Sequence, residues 1–368
     1  MTAQTALELE RTETEVPPPP ASGRPRVARR RAAGLSVLAL VGLLPAAFGD
    51  FGFFVGQYAA VYAMIGLSVV VVTGYAGLIS VMPYSFAGIG AMVTGMAMVS
   101  WGWPFWLALP LAALATVPVA LVVGLASVRL KGVYLAIATL TFATALGETF
   151  FRWEGITGGA GWALTRPRVG PVDLSSDLSL YALCLLSVLA LVWMVEGLRT
   201  SRVGRAMLAV RSNETEARAL GINTYKTKLT ALVIGGMLAG VGGSFLAILL
   251  ELPTAEPFRS PFAELVSLLL VTTVAIGGMD RALGAFVGAV ALVLQQQIFG
   301  GAEFFYPFFG IYTALILILL LRFRPGGLVQ IGKLQIELIR RRPVLGTAIA
   351  TAILGANAIG AYLFVRFS

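Results

Sequence analysis

The 368-residue chain has no histidine and one cysteine. Those two absences remove the usual zinc ligands and exclude disulfide and thiolate chemistry. Charge is scarce too: 12% of residues are Asp, Glu, Lys or Arg against 58% hydrophobic, and the mean hydropathy is +0.86. A soluble domain needs more charge than this to wet its surface, so the chain belongs in a bilayer. It has no Gly-x4-Gly-Lys-Ser/Thr phosphate loop and no cluster of Asp and Glu suited to a metal, which argues against a membrane enzyme. Cys184 lies inside the apolar run YALCLLSVLALVWMV and reads as a small lipid- or helix-facing residue.

What is present is one apolar run after another. A helix crosses the hydrocarbon core with about 20 residues. Runs of that scale fall at 33–49, 53–72, 84–100, 104–126, 133–151, 177–198, 227–250, 262–278, 283–299, 303–321 and 344–366. They predict an all-α, polytopic transmembrane helical bundle of about 10–11 spans. A membrane barrel would instead show short alternating segments. Residues 1–31 are rich in Pro and Glu before turning basic, and read as a disordered cytoplasmic tail. They lack the order of a signal peptide, so the run from Ala32 to Phe48 is taken as a retained first span. The expected division is therefore tail 1–31, transmembrane domain 32–328 with a polar loop at 199–226, and a basic segment plus extra span at 329–368.

The net charge of +9 sits beside the ends of the runs, where basic residues mark the cytoplasmic side. With the N-terminus inside, the inner segments are 24–31, the break near Val72 to Pro83, SVRLKG (127–132), the loop 200–228, GGMDRALG (277–284) and 322–343. All but the break near Val72 carry Lys or Arg. The opposite loops, 151–177 and 251–262, balance bases with acids.

The stretch TGYAGLISVMPYSFAGIGA (73–91) crowds Pro83 and several glycines into apolar sequence, where a continuous helix suffers. A discontinuous helix near 73–90 is the expectation. Such breaks at membrane depth are tolerated where they are buried in protein or line a cavity. Gly88 and Gly90 fit either a break or close helix packing. Candidate pathway residues are Gly74, Tyr75, Gly77, Ser80, Tyr84, Ser85 and Phe86, with Tyr134, Thr139 and Thr141 from the next run but one. Hydroxyls and freed backbone groups can solvate a zwitterion's charged ends, while aromatics accept an apolar side chain. The last three also fit plain helix packing. Glu148 is read as an interfacial ion pair with Arg152, four residues on.

In the polar loop, NETEARALG reads as a short helix. Asn213 is its N-cap with Glu216 three residues on, and Gly221 takes the left-handed position after its end. Ala206, Val210, Ala217 and Leu220 are spaced to form a narrow apolar stripe across a bend after Arg211. The pattern fits a docking element for a soluble partner or an ordinary basic loop.

The segment SRVGRAMLAVRSNETEARALGIN (201–223) closely resembles the coupling segment of LivM-type permease subunits of branched-chain amino-acid ABC importers. GYAGLISVMPYSFAGIGAM (74–92), RLKGVYLAIATLTFA (129–143), TGGAGW (157–162), AIGGMDRALGAFVGA (275–289) and PGGL (325–328) resemble that family's other signatures in its order. The resemblance implies a bacterial plasma membrane, a second, LivH-like permease subunit, two cytoplasmic ATP-binding subunits and an extracytoplasmic substrate-binding protein. It implies no nucleic acid and no cofactor in this chain, with ATP and magnesium bound by the ATPases. It places Gly204, Arg205, Arg211, Glu214, Ala217 and Gly221 in the element that meets the ATPase. The sequence departs from the pattern at Leu78, Val81, Met82 and Pro83, where relatives usually carry Gln, Leu-Gly and His, which leaves the substrate open. The alternative is an ion-coupled secondary transporter of a small organic solute. It would need buried carboxylates, and Glu148 and Glu196 both lie near span ends.

Overall fold

In the computed structural model, the described residues are 49–300 apart from 128, 131, 165, 167, 170, 171, 174, 175, 260 and 261. The tail 1–31, the first span before Gly49, and the runs expected at 303–321 and 344–366 lie outside them, as does PGGL.

The chain enters with α1, Gly49–Val69, which runs on as one π-turn, Val70–Tyr75, and then leaves helical geometry for residues 76–82. Helix α2, Pro83–Val99, restarts with its proline in the first turn, where a missing N–H costs nothing. Next come α3, Phe105–Ser127, and α4, Val133–Glu148. A 3-10 turn, Phe150–Arg152, the short α5, Glu154–Thr157, and a two-residue hairpin of β1, Arg168–Val169, and β2, Val172–Asp173, follow. Then α6, Asp177–Thr200, leads into the loop helices α7, Arg202–Ser212, and α8, Glu214–Ala219. The chain goes on through α9, Thr224–Leu250, the short α10, Glu256–Arg259, then α11, Phe262–Gly277, and α12, Ala282–Gly300.

The discontinuous helix is therefore present, and all eight runs expected within the described residues are helical. Among the described residues, five helices are long and apolar enough to cross, and α2 is a shorter apolar helix of 17 residues. The pair α11 and α12, expected as two separate spans, is bent by 119° at the break between them and makes at most a sixth. Hydropathy counts apolar residues but is blind to a change of direction, so the bend between α11 and α12 is not visible in it.

Helix α9 is the spine, packed against α1, α2 and α3. No apolar solvent difference draws helices together inside lipid, so close packing and interhelical hydrogen bonds do that work. At the crossing of α2 and α9, a side chain at Gly90 would run into the Gly240 backbone, its Cα only 2.7 Å away. Beside it the Thr94 hydroxyl meets that of Ser244 at 2.8 Å, both fully buried. Helix α1 is 89% buried over its span and α9 is 72%, whereas α4 is only 22% buried. Cys184 is buried inside the bundle, which makes it helix-facing.

The two ends of the bundle differ as the loop charges predict. Residues 72–83, 199–228 and 277–284 meet at one end through Arg211. At the other, Arg166 joins Asp177 at 2.7 Å and Glu251 at 2.8 Å, and the Gln57 amide donates to the Asp177 carbonyl. Trp101, Trp103, Trp106 and Trp153 are exposed on that second end, the arrangement of an aromatic belt.

Candidate functional site

The first break is held by side chains because buried backbone groups must find partners inside the protein. The Val81 amide donates to the Thr139 hydroxyl at 3.2 Å, and the Tyr84 amide donates to Ser267 Oγ at 3.1 Å. Thr73 closes the π-turn by donating to the Leu78 carbonyl at 2.9 Å. Ser80, Met82, Ser85 and Phe86 are buried around it. Above the restart of α2, the Tyr84 ring lies 5.0 Å from Phe258, which stacks on Phe151 at 5.6 Å. Phe258 and Phe151 also pack against Gly88 on the same helix.

At the basic end, the loop folds into two capped helices. Ser201 caps α7 through the Gly204 amide, and Asn213 caps α8 by accepting from Thr215 and Glu216. The Asn213 side-chain amide also donates to Glu216 Oε1 at 2.7 Å, which makes a reciprocal cap. Gly221 has φ +79° and ends the turn, as the sequence requires. Glu214 receives Lys228 Nζ at 2.9 Å and also pairs with Arg218. Burial alone pushes the Glu214 carboxyl up, but those two cations and their hydrogen bonds outweigh it and hold it below the ordinary glutamate value. At the other end, burial lowers Arg166, while its bonds to Asp177 and Glu251 more than compensate and raise it.

The loop does not stand apart from the spans. Arg211 Nη1 donates to the Gly74 carbonyl and, at 2.8 Å, to Asp280 Oδ1. Gly77, at φ +70°, lies under the same side chain, where an added Cβ would be 3.0 Å from Arg211 Cγ. The Arg199 guanidinium sits 5.9 Å from the Tyr75 ring centre. Glu196 Oε1 accepts from the Ala282 amide at 3.2 Å, at the start of α12.

The structure brings Gly74, Tyr75, Gly77, Ser80, Tyr84, Ser85 and Phe86 together around the first break, with Thr139 bonded to it. Tyr134 and Thr141 instead lie on an exposed face of α4, and the Thr141 hydroxyl donates back to the Ile137 carbonyl of its own helix. In the loop, Gly204 is buried against the Leu198 and Arg199 backbone, and Ala217 is buried. Arg205 is exposed and donates to the Thr200 carbonyl at 2.7 Å. The apolar stripe needs correcting. Met207, Val210 and Ala217 face inward, while Leu220, expected on the same stripe, is 79% exposed. The bend at Asn213 rotates α8 relative to α7, so spacing counted across it does not map one face. Glu148 does pair with Arg152, both well exposed.

Asp280 and Lys228 are not singled out by the sequence, and Glu196 is placed only near a span end. Asp280 was legible as the single acid in GGMDRALG, a polar turn between apolar runs. The partners of Glu196 and Lys228 lie on other elements, and no local spacing reveals them.

A bundle of long apolar helices, with one broken inside the core and a capped polar loop tied to the break, defines a multi-pass membrane protein of the permease class. Residues 53–322 match the family described as Branched-chain amino acid transport system / permease component, and the chain belongs to that family. It is 29% identical over 307 residues to the high-affinity branched-chain amino acid transport system permease protein LivM of Salmonella typhimurium, covering 76% of this chain and 70% of that protein. The LivM protein of Escherichia coli is 28% identical over the same coverage. A probable LivH permease protein of Methanocaldococcus jannaschii is 25% identical over 111 residues, 30% of this chain and 33% of that protein. No solved structure matches the chain.

Proposed function

We propose that the chain is a transmembrane permease subunit of an ABC importer in a bacterial plasma membrane, with its N-terminus cytoplasmic, carrying branched-chain amino acids or a related amino acid or amide. The family membership supports the transport class, and the capped loop supports the coupling role. A polar segment as well ordered as α7 and α8, tied at its inner face to the spans, leaves Val203, Arg205 and Leu220 exposed for a soluble partner. That partner is a pair of cytoplasmic ATPases holding ATP and magnesium, since this sequence has no phosphate loop. A LivH-like second permease completes the pathway, and an extracytoplasmic binding protein delivers substrate. Movement of the loop helices rocks the attached spans and alternates access to the first break.

The test is co-purification from membranes with the loop intact and with Gly204, Arg205 and Glu214 changed to bulky or reversed-charge residues. An ATPase subunit comes down with the unaltered chain and is lost from the variant, and leucine uptake falls with it. If no ATPase associates with the unaltered chain while uptake persists, an ion-coupled carrier is the correct class.

A further inference from the structure

Arg211 belongs to the loop, and the family resemblance places it among residues facing the ATPase, yet its guanidinium points inward. It donates to the Gly74 carbonyl at the last turn before the first break and to Asp280 in the second break. A side chain at Gly74 would collide with the Met279 carbonyl, so the two breaks also touch each other directly. We infer that Arg211 and Asp280 are a positioning pair that pins both helix breaks to the loop, so that displacement of α7 opens the basic-end mouth of the pathway at both breaks at once.

Three observations carry this. First, Arg211 is the last arginine of α7, one residue before the helix ends at Ser212, so any tilt of α7 about its Ser201 cap moves its far end most. Second, the guanidinium is a rigid planar fork, and holding a carbonyl and a carboxylate together fixes their separation in a way an ammonium does not. Third, the second break is held from another side as well, because Glu196 on α6 accepts from the Ala282 amide. Elements on both sides of the loop's entry thus grip the same turn. The Arg211–Asp280 pair is exposed, with 39% and 63% of the side chains open, so as an ion pair it adds little to stability. Its consequence is registration: Arg211 ties the end of α7 to both breaks at the point where Gly74 packs against Met279.

The inference rests on the coupling reading for its purpose but not for its geometry, and the test separates the two. The full chain, with Cys184→Ala and Ser80→Cys, is reconstituted in lipid nanodiscs with whatever ATPase co-purifies. The rate at which a membrane-impermeant maleimide labels position 80 is measured, together with leucine uptake per ATP hydrolysed in proteoliposomes. Ser80 is 5% exposed in this structure, so labelling starts slow. With Asp280→Asn or Arg211→Ala, labelling rises at least fivefold. Uptake per ATP falls at least tenfold while the ATPase stays bound and active. Asp280→Glu, which keeps the charge, labels within twofold of the parent, and Arg211→Lys falls between. Unchanged labelling in both Asp280→Asn and Arg211→Ala overturns the inference, as does failure of Asp280→Glu to accumulate in membranes, which would mark a purely structural residue. If no ATPase binds the unaltered chain, the proposed function fails, and the labelling rates still decide whether the pin exists.

Discussion

The break after Tyr75 and the break after Gly277 both interrupt an apolar helix at the basic end, yet they are built differently. The first is seven residues long, and Leu78, Ser80, Val81 and Met82 within it are buried. Gly77 and Ile79 in it are exposed, but the Val81 amide and the Leu78 carbonyl are partnered by Thr139 and Thr73, and Ser267 accepts from Tyr84 just beyond the break. The second is a four-residue turn, 278–281, whose Asp280 is largely exposed. It is made by close packing instead: a side chain at Gly277 would meet the Gly288 amide at 2.8 Å, and one at Gly284 would meet the Gly278 amide at 3.1 Å. A buried break needs hydrogen-bond partners drawn from distant helices, whereas a surface break needs only small residues and solvent.

The sharpest way to break the comparison is to attack the point where the two meet. Gly74→Val places a branched side chain against the Met279 carbonyl, and leucine uptake should fall at least a hundredfold, with less protein recovered from membranes. Thr139→Val touches the first break alone. It leaves the Val81 amide without its acceptor at a cost of about 1–3 kcal/mol, read as a lower Tm of the detergent-solubilised protein. Asp280→Ala, on the exposed second break, should leave stability within about 0.5 kcal/mol of the parent, read as a nearly unchanged Tm in the same assay. An equal loss in both would erase the distinction.

Smaller effects test the loop. Asn213→Ala removes the α8 cap at a cost of about 1 kcal/mol, seen as faster amide exchange over residues 214–219 with α9 unchanged. Glu214 is held below the ordinary value of 4.5, so its contribution is fully present above that pH and lost as pH falls through its lower folded value. The melting difference between the parent and Glu214→Gln should therefore be greatest near neutrality and close in acid. Smallest of all is Glu148→Gln: the Arg152 pair is exposed, and uptake and Tm should not move measurably.

The positions of the helices, the discontinuity ahead of Pro83, the Asn213 cap and the Gly221 terminator were legible because each depends on residues within a few positions of one another. The bend between α11 and α12 was not, since an apolar run gives length without direction. The stripe through Leu220 failed for a related reason: periodicity holds within one helix and resets at a cap. Tyr134 and Thr141 share a signature with Thr139, yet only Thr139 faces the break, because rotation of α4 about its axis is set by what packs against it.

The sequence by itself determined that this is a many-helix membrane protein with a broken span and a capped polar loop, since hydropathy, proline, glycine and capping residues act over short range. Only the tertiary structure decided that Arg211 turns inward to meet Gly74 and Asp280, that Glu196 reaches Ala282, and that two apolar runs make a bent pair. The three contacts join residues 69 to 137 positions apart, and contact at such range exists only once the helices have packed.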